Sequence, residues 1–465
     1  QDEFVAVRTI VPGGPAANGG VLKVGDRVVA VGQDASGPMV DVVGWRIDDV
    51  VALIRGKKGT QVRLDVLPAE AGLDAKPTLV KIIRDKVKLE QQAAQKRIVE
   101  VGDRRIGVVE LPTFYLDFEA RRRGDKDARS ATADVAKLLR ELRAEQVDGV
   151  VVDLRDNGGG SLIEAVELTG LFIERGPVLQ VRNANGEVEV ESDEDAAVAW
   201  TGPLAVLVNR SSASASEIFA AAIQDYGRGL IIGEPTFGKG TVQSLIDLDR
   251  FPRKDDVKFG QVKLTVAQFF RVDGGTTQHA GVVPDLQFPV TLDASEYGES
   301  TYDNALPATR IAMAPHGNVG NLAVLTPQLA ANHEARVAKD REFQWWAEDV
   351  ATYRADRERK TISLNEAERR AERDRLEAQR KQRQAERAAA GLDADALAQA
   401  DDGLTASERS IAEQAAMEEA AKTRPDPLLR ESAAILADAL DLLSADRGLT
   451  AQVLPVTRQA TVWAE

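Results

Sequence analysis

Three short apolar runs constrain this chain more than anything else in it: Val147-Asp-Gly-Val-Val-Val-Asp-Leu-Arg155, Pro203-Leu-Ala-Val-Leu-Val-Asn-Arg210 and Gly229-Leu-Ile-Ile-Gly-Glu-Pro235. Each is too short for a helix, rich in β-branched residues and bounded by glycine, proline or charge, which is how a strand buried on both faces reads. Helical patterns lie before and between them. Ala131–Gln146 places Val135, Leu138, Leu139 and Leu142 on one stripe, and Ser216–Tyr226 is a second helix. Strand, helix and strand in alternation require crossover connections, so the expected class is α/β around a largely parallel sheet.

The flanks differ from this centre. Residues 1–87 alternate short β-rich runs with glycine turns. Val21–Gln33 and Gln61–Pro68 read as strands, and Gly44–Gly56 as a helix with Ile47, Val50, Val51 and Ile54 at helical spacing. Residues 88–104 are charged and Gln-rich and read as a connecting segment. From about 291 the composition shifts, and Glu366–Ala389 interleaves both charge signs at the spacing of a solvated helix laced with i,i+4 pairs. The expected domains are therefore 1–87, a small β-barrel-like module; 88–290, the α/β core; and 291–465, a mostly helical C-terminal region.

Composition removes several functions. Among 465 residues the net charge is -15, against nucleic acid and against anionic membrane surfaces. There is no cysteine, which excludes disulfides, zinc–thiolate sites and thiol catalysis. The three histidines, His279, His316 and His333, form no HExxH pair and read as ordinary surface residues, so no metal or other cofactor is expected. No run of about 18 apolar residues is present to span a membrane. The chain begins at Gln1 inside a strand-like segment, which reads as a trimmed or processed start.

The chemistry concentrates in three strings. In Ser212-Ala-Ser-Ala-Ser-Glu217 a serine stands where a strand gives way to a helix. Ser214-x-x-Glu217 fits a capping box, which needs no catalysis. The same helix end also offers free N–H groups that could hold an oxyanion. A serine nucleophile needs a base, and a buried lysine kept neutral can replace histidine. Lys239, flanked by glycines in Gly233–Gln243, is the candidate, with a surface turn lysine as the bland alternative. That string also nearly matches the phosphate-binding pattern GxxxxGK[ST], but Gly240 displaces the hydroxyl and the next residues alternate like a strand, so a nucleotide-binding function is disfavoured. The glycine triplet in Asp153–Ser161 marks a sharp turn or a backbone N–H donor to a ligand. Asp156 and Asp225 could form an acid pair, although nothing in the sequence fixes their separation.

Taken together, Asp153–Ser161, Ser212–Arg228, Gly233–Gln243 and Phe269–Asp285 resemble the carboxyl-terminal processing peptidases, or tail-specific proteases, of the long type. Gly13–Gln33 looks like the PDZ domain of that family. Tyr302–Pro307 and His333–Gln344 look like its helical extension. The resemblance implies a crotonase-like β/α spiral core and a serine endopeptidase. It places the nucleophile on Ser214, the base on Lys239, and a lysine-orienting glutamine on Gln243. Asp225 falls on a residue that supports activity, and Ala215 and Gly160 on the oxyanion donors. It also implies protein substrates with apolar C-termini, room for an adaptor protein, and a periplasmic location at or near the inner membrane. The PDZ carboxylate-binding loop would lie upstream of Gln1. The rival reading is a non-catalytic PDZ scaffold.

Overall fold

The computed structural model describes residues 3–11, 14–72, 74–85, 93–125, 128–250, 259–390, 410–411, 413–416 and 425–454. The chain divides into two compact units that do not follow chain order. One joins Gln1–Gln92 with Thr361–Pro425; the other joins Ala93–Lys360 with Asp426–Glu465.

In the first unit, strands Val5–Ala6, Arg27–Gln33, Gln61–Leu67 and Thr78–Ile83 lie in that order in one antiparallel sheet, with Met39–Asp41 added beside Arg27–Gln33. Alternation fixes the register: Val62, Leu64 and Val66 all point inward onto Val28, Val31 and Val80. Helix Ile47–Ile54 closes the core with Val50, while Ile47 is exposed, so the helical stripe is narrower than its spacing suggested. Helix Glu366–Ala389 belongs to the same unit and carries the expected i,i+4 pairs, Arg370 with Glu366 and Lys381 with Glu377.

The second unit is built on a six-stranded sheet in the order Leu286–Gln287, Leu230–Gly233, Leu204–Val208, Gly149–Asp153, Arg104–Glu110 and Gln95–Val101. All neighbours are parallel except the last pair. The central strands are buried throughout, and successive residues feed opposite cores. Val150, Val152, Leu204, Val206 and Val208 pack with helices Ala131–Ala144, Leu162–Gly170 and Ala215–Asp225. Val151, Ala205, Leu207, Leu230 and Ile232 pack instead on helix Pro427–Ala445 through Ile435, Leu436 and Leu440. Gly149 is small because of that helix: a Cβ there would come within 2.9 Å of Leu436. A second sheet, antiparallel, runs Val188–Asp193, Gly176–Asn183, Gln261–Phe270 and Thr241–Asp247.

Two expectations change. The part of the 88–104 connecting segment that is described, from residue 93, is not a linker: Gln95–Val101 is the edge strand of the main sheet, with Lys96 on one face pairing with Glu141 and Glu145 and Arg97 on the other pairing with Glu110. The histidines are not all surface residues. His333 is tucked against Glu431 at 2.8 Å, His316 packs on the Tyr226 ring, and the His279 Nε2 is buried. No helix among the described residues is long and apolar enough to cross a membrane.

Candidate active site

Ser214 is the N-cap of helix Ala215–Asp225 and is forced there into φ 59° and ψ -111°, a conformation non-glycine residues avoid. Such strain persists only where neighbours over-determine the backbone, and the serine-rich string supplies them. The flanking hydroxyls serve the scaffold: Ser212 donates to the Leu154 carbonyl at 2.8 Å and Ser216 to the Asn157 carbonyl at 2.8 Å. The Ala213 N–H also donates to the Asn157 carbonyl, at 3.0 Å. Residues 212, 213 and 216 are thereby tied to the Leu154–Asn157 segment, on either side of Ser214.

It faces Lys239. The Lys239 Nζ donates to the Thr241 carbonyl at 3.0 Å and lies 3.5 Å from the Ser214 Oγ. Burial holds the lysine below its ordinary pKa, opposed by the negative charges of Glu299 and Glu217. A lysine pushed toward the neutral amine is what base catalysis requires.

Glu217 joins the two residues. Its side chain is wholly buried, and four donors converge on it. Oε2 accepts from the Ser214 N–H at 2.8 Å and the Lys239 N–H at 2.9 Å; Oε1 accepts from the Thr236 hydroxyl at 2.6 Å and the Gly238 N–H at 2.7 Å. Burial pushes its carboxyl up to about 7 against the pull of those donors. The sequence pattern had flagged Glu217 only as a cap; the structure makes it the common anchor of both chemical residues. The lysine turn is also held from its far side. The Gly240 N–H donates to the Gln278 side chain at 2.8 Å, and Gly238, at φ +94°, sits so close to His279 that a Cβ would come within 2.6 Å of its carbonyl oxygen.

The glycine loop passes directly beside the serine. A Cβ on Gly159, at φ +100°, would lie 2.9 Å from the Ser214 Cβ and 3.0 Å from the Ala215 nitrogen. The Gly159 N–H is already engaged by the Asn157 side chain at 2.9 Å. Among the described residues nothing accepts the N–H of Gly160 or of Ala215. Asn157, fully buried, ties the loop to the serine turn: its side chain donates to the Leu111 carbonyl at 2.7 Å and holds Gly159, while its carbonyl holds Ala213 and Ser216.

Other expected residues fall elsewhere. Gln243 lies on strand Thr241–Asp247 beyond a register shift between Val242 and Gln243. It is exposed, and the Lys239 ammonium is oriented by the Thr241 carbonyl rather than by it. Asp225 ends the serine helix, buried, in an ion pair with Arg271, whose Nε lies 3.1 Å from Oδ1. Arg271 begins the turn leading to Gln278, whose side chain accepts from the Gly240 N–H. Asp156 instead exchanges hydrogen bonds with Asn209, so the two acids sit in separate networks and do not form a pair. The phosphate-loop alternative also fails, because Lys239 leads into a strand rather than a helix. Among the described residues no group of His, Asp and Glu could hold a metal ion.

A hydroxyl at a strained helix start with a buried amine within reach of it can support nucleophilic attack on a carbonyl. Comparison with known proteins points to the same chemistry. The model of peptidase family S41 matches residues 105–288, that of the C-terminal domain of tail specific protease matches 292–441, and that of the PDZ domain matches 1–67. The tail-specific protease of Haemophilus influenzae is 44% identical over 82% of this chain and 53% of its own. The carboxy-terminal processing protease CtpA of Bacillus subtilis is 31% identical over 62% of this chain and 54% of its own. A crystallised PDZ domain of a carboxy-terminal protease from Vibrio cholerae is 52% identical over 19% of this chain and 88% of that one, with a TM-score of 0.18. The chain spans about half the length of the curated relatives it matches. With three domain models in one order along it, and the serine, lysine and glycine strings meeting at one point, this chain belongs to peptidase family S41, among the tail-specific proteases.

Proposed function

We propose that the protein is a serine endopeptidase with a Ser214–Lys239 dyad, acting on proteins with apolar C-termini. The observation that carries this is the 3.5 Å approach of the Lys239 Nζ to the Ser214 Oγ, with both backbone N–H groups on the one Glu217 carboxylate. The neutral Lys239 amine takes the Ser214 hydroxyl proton as Oγ bonds to the scissile carbonyl carbon. The Gly160 and Ala215 N–H groups donate to the oxyanion. The Lys239 ammonium then returns the proton to the departing amine as the C–N bond breaks. Water, deprotonated by Lys239, cleaves the acyl-serine and restores the hydroxyl. The 3.5 Å separation shortens to a full hydrogen bond when substrate fills the site. Asp225 is a structural support for the lysine turn, and Gln243 has no role in orienting the lysine in this arrangement.

Substrate capture is assigned to the PDZ module. Val5–Ala6 pairs on one side with Arg27–Val28, and helix Ile47–Ile54 is part of the same unit, the pieces needed for adding an extended C-terminal peptide to a sheet edge. The site of action is the periplasm, with substrates delivered directly or by an adaptor.

The test uses the full-length protein on an unfolded protein ending in apolar residues and on the same protein ending in charged ones. Wild type should cleave the first much faster, and folded Ser214→Ala and Lys239→Ala variants should be inert. An inert wild type would favour the scaffold reading; cleavage by either variant would require another nucleophile or base.

A further inference from the structure

Arg155 stands between the central strand and the glycine loop, and its guanidinium is shared by two carboxylates. Nε and Nη2 donate to Asp153 at 3.0 and 2.6 Å; Nη1 and Nη2 donate to Asp426 at 3.1 and 2.6 Å. Asp426 has a second task. Its Oδ1 accepts from the Leu429 N–H at 3.0 Å as N-cap of helix Pro427–Ala445, the helix that packs on the underside of the central strands. It is also the residue at which the chain re-enters this unit after Thr361–Pro425, a stretch that clusters with the PDZ-bearing unit.

The loop that follows Arg155 needs restraint. Asp156 is held at φ 60°, a conformation few side chains adopt, and Gly159 and Gly160 turn the backbone at φ +100° and +149° where only glycine fits. The Asn209 side chain holds Asp156 on one side, and Asn157 carries the loop into the serine turn. Further along, the Gly159 carbonyl accepts from the Thr113 hydroxyl at 2.7 Å and the Phe114 N–H at 3.0 Å, and the Arg155 fork fixes the beginning of the loop to both the sheet and a helix start. A bidentate guanidinium does this better than any other side chain because its planar fork sets direction as well as distance.

We propose that the Arg155–Asp426 pair is a positioning device for catalysis: it fixes the Asp156–Gly160 loop relative to Ser214 from the point where the chain returns from the PDZ-bearing unit. This rests on the reading of Gly160 as an oxyanion donor. Breaking the pair should therefore impair the chemical step and leave tail capture intact.

Asp426→Asn separates the two tasks of the aspartate. Asparagine caps a helix as well as aspartate does, so the helix keeps its start while Arg155 keeps Asp153 but loses the second of its two charged partners. In the full-length protein, kcat and KM are measured on the unfolded, apolar-tailed substrate for wild type, Asp426→Asn, Asp426→Glu, Arg155→Lys and Arg155→Met, with the folded fraction of each read by circular dichroism. The expected result is an unchanged KM and a kcat lowered roughly tenfold or more in Arg155→Met and Arg155→Lys. Asp426→Asn should show a smaller fall in kcat with an unchanged melting temperature, and Asp426→Glu a partial recovery. Unchanged kcat in the Arg155 variants, a change confined to KM, or a loss of kcat that vanishes on correction for the folded fraction would each overturn the proposal. A failure of the dyad reading shows separately, as absence of Ser214-dependent cleavage in wild type.

Discussion

Replacing Glu217 with glutamine should make the protein slower and, at alkaline pH, relatively more stable. The ionised carboxylate accepts four donors and needs to offer none. An amide in the same place must turn its NH2 toward one pair of them. If it faces Thr236 and Gly238, the Thr236 hydroxyl can rotate but the Gly238 N–H is orphaned; if it faces Ser214 and Lys239, both backbone N–H groups are orphaned. Each buried orphan costs about 1–3 kcal/mol. Either way the serine and lysine turns lose a shared restraint, and kcat at pH 8 should fall about tenfold or more. Stability responds in the opposite sense. Burial raises the Glu217 carboxyl from the ordinary 4.5 to about 7. A raised carboxyl pKa means that the folded state binds the proton more tightly, so the stability it contributes is fully present below the unfolded value and lost as pH rises through the folded one. Over that span the loss is about 3 kcal/mol, which glutamine, neutral throughout, escapes. Urea unfolding of both proteins from pH 4.5 to 8 should show the wild type losing about 3 kcal/mol relative to Glu217→Gln across that range, while the variant is the slower enzyme at pH 8. Parallel stability curves, or wild-type kcat in the variant, would refute the hub assignment.

Further predictions follow from the same geometry. Cleavage should accelerate with pH as Lys239 deprotonates, at a midpoint below the ordinary lysine value, and Lys239→Arg should be inert at every pH because its side chain stays protonated. Gly159→Ala forces a Cβ into the Ala213 carbonyl and the Ser214 Cβ at positive φ, and should cost about 2–5 kcal/mol by denaturant unfolding, together with most activity. Asp225→Ala removes the carboxylate facing the part-buried Arg271, which keeps only the Gln224 side chain and the more distant Asp273, and should lower stability by about 1.5–3 kcal/mol; a fully stable yet inactive variant would instead assign Asp225 a chemical role.

How much of this was written in the sequence depends on whether a signal is local. The buried strands are continuous apolar runs because both faces are covered, so Gly149–Asp153 and Leu204–Val208 are legible at once. Ser214 and Lys239 carry local signs, a strand-to-helix serine and a glycine-flanked lysine. Their 3.5 Å approach joins positions 25 residues apart, and no local sign in either string pairs them; only the family resemblance does. Gln95–Val101 is hidden because an edge strand with charges on both faces, Lys96 and Glu100 on one and Arg97 on the other, resembles a linker. Gln243 is exposed beside a register shift whose extra residue, Val266, lies on the partner strand, an irregularity no periodicity records. The grouping of Thr361–Pro425 with the first 92 residues, and the Asp426 contact to Arg155 across 271 positions, are long-range pairings with no local mark at all.

The most direct test of the central claim is to find where a serine-reactive fluorophosphonate binds. The probe is mixed with the full-length protein at pH 8, and the adduct is located by peptide mass spectrometry, with Lys239→Ala and Ser214→Ala as comparisons. The account predicts a single adduct on Ser214, formed far more slowly in folded Lys239→Ala and absent from Ser214→Ala. Labelling of another serine, or equal labelling of Ser214 with and without Lys239, would contradict it.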